Sequence, residues 1–213
     1  MDLKINVFEE RLKKALSNGL PGLEAQYKMA PEGRMTPSQY AHYSKNAREG
    51  AVLIGFFEKA GRIHTVLIER SKYEGVHSGQ MAFPGGKKDD TDKDLEHTAL
   101  RETREEVGFQ EEKVKLVGKL TELYIPPSNF LVTPFIGILR PPYEFVRDPF
   151  EVAQIHTTPI EVFLEEKNRG FKKITVAGGL EINSPYFDLE GKVIWGATAM
   201  MIAELVEVLK QIK

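Results

Sequence analysis

The 213-residue chain contains no cysteine, which excludes disulfides, thiolate metal sites and cysteine nucleophiles together. No apolar run approaches the ~20 residues that a helix needs to span a bilayer. The chain also lacks a positive charge excess: its net charge of −2 argues against non-specific binding to nucleic acid. No internal repeat, low-complexity segment or Pro/Gly/Ser linker divides it.

What is present indicates one globular domain with an N-terminal extension. A hydrophobic content of 41% over this length can bury a proper core. Residues 1–50 are predicted to be a helical extension, with helical spacing at Val7, Leu12, Ala15 and Leu16, and a packing or dimer-contact role. The main domain is placed at 51–213. The amphipathic, acid-containing N-terminus is neither a secretory signal nor a typical transit peptide, so we expect a cytoplasmic protein with no membrane partner.

The densest chemical pattern lies at residues 85–109, where a glycine pair enters an aspartate-rich loop and a helix follows. Glu102, Glu105 and Glu106 fall at i, i+3 and i+4, so they share one side of that helix. At about 100° per residue, Glu102 and Glu106 border the apolar arc, and Glu105 lies further towards solvent. An ordinary surface helix is the alternative. With the glycine-aspartate loop in front, however, the cluster predicts an oxygen-ligand site for Mg²⁺ or Mn²⁺ and a phosphate substrate.

The surrounding pattern favours an α/β/α sandwich with a mixed sheet over a doubly wound parallel sheet. Residues 51–57 and 63–69 read as a hairpin, and residues 114–123 and 131–139 as strands joined by a loop at 124–130. Further strands are predicted at 171–176 and 182–189. A short helix is expected at 158–167, and a final helix opens at residue 194.

The helix resembles the second half of the Nudix box, the signature of a hydrolase family. The positions that match in spacing are Arg101, Glu102, Glu105, Glu106 and Gly108. The first half departs from the pattern, because Lys87 and Lys93 stand where a glycine and a glutamate are expected. Gly86 with Asp92 restores the first interval only if the second is one residue longer. Asp89, Asp90 or Asp92 must then supply what the early glutamate does.

The preceding segment resembles the signature of the coenzyme A pyrophosphatases within that family. Matching residues are Arg70, Ser71, Gly79, Phe83, Pro84, Gly85 and Gly86. Ile68 stands where threonine is expected, and Gly75 where a second arginine is expected. The arginine matters more, because a basic side chain would grip the 3′-phosphate of coenzyme A.

The resemblance implies a Nudix fold and a metal-dependent pyrophosphohydrolase that acts on a small nucleotide conjugate. The first substrate is coenzyme A or a derivative, cleaved to 3′,5′-ADP and 4′-phosphopantetheine. We expect the catalytic residues to be Arg101, Glu102, Glu105 and Glu106, with the three glutamates as metal ligands and Arg101 orienting one of them. Expected substrate contacts are Arg70, His77, Gly79, Phe83, Gly85 and Gly86. The general base is either Glu105 or Glu151.

Two alternative functions stay open, and a third is excluded by the residues present. ADP-ribose or a dinucleotide is the second substrate class. A non-catalytic nucleotide-sensing module is a different class of function, although such a module would be expected to lose the glutamates. Isopentenyl diphosphate isomerases share the fold but rely on a catalytic cysteine, which the chain lacks. Homodimerisation, a habit of the family, is an expectation.

Overall fold

The computed structural model describes residues 4–39, 44–71, 78–176 and 178–212. The helices that concern us are α1 (Ile5–Ser17), α2 (Gly22–Tyr27), α3 (Leu95–Val107), α4 (Glu161–Leu164) and α5 (Gly196–Lys210). In the described part of the chain, no helix is long and apolar enough to cross a membrane.

Within the described ranges, eight strands form one sheet and three form another. The larger sheet contains β1 (Arg48–Lys59), β2 (Arg62–Arg70), β3 (Met81–Ala82), β4 (Gly85–Lys87), β5 (Val114–Lys119), β6 (Leu123–Ile125), β7 (Phe130–Leu139) and β8 (Val152–Pro159). Its main path runs β3-β2-β1-β7-β5, with β4 on β1, β6 on β7 and β8 on β2. The smaller sheet has the order β11 (Lys192–Trp195), β10 (Glu181–Leu189), β9 (Arg169–Thr175).

The larger sheet is mixed, as predicted, because β1 and β7 run parallel while β1 and β2 form an antiparallel hairpin. Side chains of β1 alternate between its two faces, as the two-residue period of a strand requires. Leu53 and Phe57 join the core beneath α3, and Ile54 and Phe56 join the core beneath α5. Helices therefore cover both faces, which confirms the α/β/α sandwich.

The N-terminal helices pack into the same core as α5. Phe8 and Leu12 of α1 are fully buried there, whereas Val7, which we expected on the apolar face, is 40% exposed. Glu204 of α5 is also fully buried, and its carboxylate accepts hydrogen bonds from Gly22 N at 3.0 Å and Gln26 Nε2 at 2.8 Å. These contacts fix the start of the chain to α5. The boundary at residue 50 stays a prediction.

Several predicted segments differ from the structure. The short helix expected at 158–167 is only Glu161–Leu164, because residues 152–159 form β8. Residues 192–195 form β11, so the last helix begins at residue 196 and not at 194. Tyr124 and Ile125 belong to β6 rather than to a loop, and α2 was not predicted. Each of these elements is short or mixed in polarity, so its own sequence pattern is weak. The strands are stabilised by pairing with neighbouring strands, and α2 is stabilised by packing on α5.

Candidate active site

Helix α3 begins and ends where local signals place it. The Asp94 carboxylate accepts a hydrogen bond from His97 N at 2.8 Å, which caps the N-terminus. Gly108 adopts φ +69 and ends the helix in the left-handed conformation that glycine favours. Helical geometry between these two points carries Glu102 and Glu106 to the side that faces β4.

Glu106 is fully buried against the glycine pair. One carboxylate oxygen accepts a hydrogen bond from Gly85 N at 2.8 Å, and the other lies 3.3 Å from Nη1 of Arg70. Burial raises the pKa of this carboxyl to about 8, with Arg70 opposing the shift and the charges of Glu102 and Glu151 adding to it. A second cation near Glu106 would therefore stabilise its ionised form.

Glu102 lies one helical turn earlier and packs over Gly86. A Cβ at Gly86 would stand 2.5 Å from the Glu102 carboxylate, so only glycine leaves room for that group. Gly85 is constrained from the other side, because at φ +153 its Cβ would come 2.3 Å from the carbonyl oxygen of Ala51. Burial also raises the pKa of Glu102, with Arg101 opposing that shift.

Arg101 links the aspartate loop to the helix. Its Nε and Nη2 donate to the two oxygens of Asp92, each at 2.9 Å. Nη1 donates to Glu105 at 2.9 Å and lies 3.0 Å from Glu102, and Nη2 also donates to the carbonyl of Lys87 at 3.1 Å. Arg101 thus makes the contact with a glutamate that the sequence led us to expect. Its catalytic role stays a prediction.

Glu105 faces solvent with a side chain 49% exposed, and Arg104 lies 3.6 Å from its second oxygen. Over the described ranges, no three histidine, aspartate or glutamate side chains converge closely enough to form a metal site as they stand. Glu102 and Glu106 nevertheless fit a divalent cation, because both are carboxylates drawn out of water and facing the same strand. Glu105 would have to leave Arg101 to become a third ligand.

A cavity of about 720 Å³ extends from the glycine pair between the larger sheet and α5. Arg70, Phe83, Gly85 and Gly86, four of the predicted substrate contacts, line it. Most of its remaining wall is apolar, with Val52, Ile125, Phe130, Val132, Val176, Ile182, Trp195, Ala197 and Met201. A mostly apolar cavity with cationic side chains such as Arg70 in its wall suits a ligand with an anionic part and an organic part.

The other predicted contacts lie elsewhere. Gly79 lines a separate, smaller groove with Gln80 and Met81, and His77 lies outside the described residues. Arg34, from the N-terminal segment in which the sequence indicated no chemistry, lines the large cavity and donates a hydrogen bond to the carbonyl of Tyr124. The position of Arg34 depends on the packing of the N-terminal segment onto β6, and no local sequence motif predicts that packing.

The geometry of helix, glycine pair and cavity agrees with the family comparison. The model of the NUDIX domain matches residues 47–176, and the chain belongs to the Nudix hydrolase family. It is therefore an enzyme of a family that acts on diphosphate bonds in small nucleotide conjugates. Members of this family generally use divalent metal ions.

Curated relatives fall within the same family. The chain is 34% identical over 164 residues to the Nudix hydrolase NudL of Photorhabdus laumondii, covering 77% of this chain and 86% of that protein. It is 33% identical over 141 residues to the mouse peroxisomal coenzyme A diphosphatase NUDT7, covering 66% of this chain and 58% of the relative. The human mitochondrial coenzyme A diphosphatase NUDT8 is also 33% identical, with coverage of 63% and 57%. The chain thus spans little more than half of either mammalian protein.

Among solved structures, a MutT/nudix family protein from Enterococcus faecalis superposes with a TM-score of 0.53 at 13% identity. The superposition covers 84% of this chain and 71% of the other. At that identity the likeness supports the fold alone.

Proposed function

We propose that the chain is a Mg²⁺- or Mn²⁺-dependent diphosphatase that cleaves coenzyme A or a derivative to 3′,5′-ADP and 4′-phosphopantetheine. The observation that carries the proposal is the placement of the Glu102 and Glu106 carboxylates against Gly86 and Gly85, the glycine pair that lines a large, mostly apolar cavity. The upstream signature and the two mammalian coenzyme A diphosphatases support the substrate.

Arg70, Gly85 and Gly86 each have a separate role in placing the two glutamates and the substrate. Gly85 N and Arg70 hold the Glu106 carboxylate, and Arg70 lines the cavity, where its guanidinium can also pair with a phosphate. Gly86, without a side chain, leaves the space in which the Glu102 carboxylate lies. The diphosphate would lie along the glycine pair, with its organic groups extending between Phe83 and α5.

Glu102 and Glu106 would hold the metal, with Glu105 as a third ligand once it leaves Arg101. When bound, a divalent ion supplies positive charge to the diphosphate oxygens and lowers the pKa of a water molecule. Hydrolysis then forms a bond from the water oxygen to one phosphorus, while the bond from that phosphorus to the bridging oxygen breaks. The water proton passes to Glu151, or to Glu105 where Glu105 does not itself bind the metal.

The test is Glu106→Gln, with Glu96→Gln in the exposed first turn of α3 as the matched control. We expect Glu106→Gln to abolish Mg²⁺-dependent turnover while circular dichroism shows an unchanged fold, and Glu96→Gln to retain wild-type activity. Coenzyme A, ADP-ribose, NADH and diadenosine polyphosphates would be assayed in parallel for phosphate-ester products. Full activity of Glu106→Gln would refute the metal assignment, and preference for a substrate other than coenzyme A would refute the substrate.

A further inference from the structure

A second groove, of about 420 Å³, lies beside the large cavity between β2–β3 and the smaller sheet. Three lysines line it: Lys172 and Lys173 from β9 and Lys192 from β11. Glu69 is the single acidic residue among the lining residues, all of which the structure describes. The groove therefore carries an excess of positive charge on a chain whose net charge is −2.

The lysines differ in how far their charge is already neutralised. Lys192 Nζ lies 2.7 Å from the Glu69 carboxylate, which largely satisfies both groups. Lys173 Nζ is 3.5 Å from Glu181, but both side chains are mostly exposed, so water screens this pair strongly. Lys172 Nζ stands 5.6 Å over the ring of Tyr186. Lys172 and Lys173 thus keep charge that an incoming anion could use.

The groove adjoins the large cavity. Gln80, Met81 and Trp195 line both of them. The Gln80 carbonyl accepts a hydrogen bond from Arg70 N at 3.0 Å, so the groove begins one strand spacing, ~5 Å, from the backbone of Arg70. Arg70 in turn contacts Glu106. A ligand held at the glycine pair could therefore extend past these shared wall residues towards the lysines.

We propose that this lysine groove binds the 3′-phosphate of a 3′-phosphorylated adenosine whose 5′-diphosphate lies at the glycine pair. The inference rests on the proposed function and deepens it, because a 3′-phosphate distinguishes coenzyme A from its dephosphorylated form. Gly75 stands where the resembled signature has an arginine, and lysines from a distant part of the chain supply the missing charge. An ammonium group binds phosphate as a point charge, without the fixed geometry of a guanidinium.

The experiment uses the double variant Lys172→Ala/Lys173→Ala in the 213-residue chain. Lys167→Ala, whose side chain is 76% exposed in the 3-10 turn before β9, is the matched control. With Mg²⁺ present, kcat and KM are measured for coenzyme A and dephospho-coenzyme A. We expect the double variant to raise KM for coenzyme A by roughly 10-fold or more, as loss of a charged hydrogen bond does, with kcat and dephospho-coenzyme A turnover unchanged.

Calorimetric titration separates this inference from the proposed function. Adenosine 3′,5′-bisphosphate should bind the wild type more tightly than AMP, and the double variant should lose that difference. If the wild type cleaves neither substrate but keeps this preference, the proposed reaction fails and the subsite stands. Equal turnover of coenzyme A and dephospho-coenzyme A by the wild type would overturn the subsite, as would a variant that affects both substrates alike or neither.

Discussion

The guanidinium of Arg101 forms a bidentate pair with the carboxylate of Asp92, with Nε 2.9 Å from Oδ1 and Nη2 2.9 Å from Oδ2. Asp92 also accepts hydrogen bonds from Asp89 N and Thr98 Oγ1, both at 2.9 Å. Arg101 and these donors hold the pKa of Asp92 well below its usual range. This pair fastens the loop after β4 to the helix that carries the glutamates.

We expect Asp92→Asn to destabilise the protein by about 3 kcal/mol, because it removes the buried anion that pairs with two donors of the largely buried Arg101. Asp90→Asn, a change in the same loop at an exposed position, should stay within about 0.5 kcal/mol of the wild type. Urea denaturation at neutral pH measures both free energies of unfolding. Equal stability of the two variants would show that the pair does not anchor the loop.

Gly86→Ala should weaken metal binding more than it weakens the fold. The new Cβ would meet the far end of Glu102, a flexible side chain that can swing away at little cost in stability but leaves its position beside the glycine pair. We expect affinity for Mn²⁺ to fall roughly 10- to 100-fold, as when groups that orient a metal ligand are lost. Calorimetric titration with Mn²⁺ measures this change.

Gly61→Ala is the control, because it should lower stability without changing metal binding. Gly61 lies in the β1–β2 turn at φ +74, and a Cβ there would have no atom within 4 Å. Its replacement should cost about 1 kcal/mol of stability through backbone strain and leave Mn²⁺ affinity unchanged. If Gly86→Ala behaved like Gly61→Ala in both measurements, the role of Gly86 in placing Glu102 would be refuted.

The stability of the metal-free protein should depend on the protonation of Glu106. Its pKa rises from an ordinary 4.5 to about 8 on folding, so between these values the folded state binds more protons than the unfolded state. Stability from this group is complete below about pH 4.5 and is lost as pH rises towards 8. Urea denaturation in EDTA should therefore show a larger loss between pH 5.5 and 8.5 for the wild type than for Glu106→Gln. Parallel losses would contradict burial of this carboxyl.

The choice of general base can be decided by comparing Glu151→Gln with Glu105→Gln. The Glu105 carboxylate is held outward by Arg101, whereas the charge of Glu151 reaches both Glu102 and Glu106 and raises their pKa values. We expect Glu151→Gln to lower kcat by 10²- to 10⁴-fold, about the range for loss of a general base, and Glu105→Gln to lower it less. Pre-steady-state and steady-state assays with Mg²⁺ measure both. The reverse order would assign the role to Glu105.

Local signals in the sequence predict the centre of this site well. Helix α3 has a capping aspartate, a terminating glycine and an apolar period, so the inward direction of Glu106 and the outward direction of Glu105 follow from helical geometry alone. The hairpin of β1 and β2 and the covering of both sheet faces follow from two-residue alternation and from the order of elements.

What the sequence could not indicate depends on contacts between distant segments. Four aspartates precede α3, and only the fold selects Asp92 among the candidates Asp89, Asp90 and Asp92 by bringing it against Arg101. Arg34 reaches the cavity because the N-terminal segment packs onto β6, more than 80 residues later in the chain. Strands β8 and β11 are defined by pairing with β2 and β10 rather than by their own periodicity.

The parallel pairing of β1 with β7 has a consequence for how the site comes into being. Arg48 pairs with Phe130, about 80 residues away in the chain, and β4 joins the other side of β1. Such long-range pairings form slowly, because the entropy of closing a large loop is lost before the contacts repay it. The Gly85 amide meets Glu106 only after β1, β4 and α3 are together, so the Glu106 carboxylate acquires its partner late in folding. Opening of that hydrogen bond to solvent exchange should then require unfolding of the whole sheet.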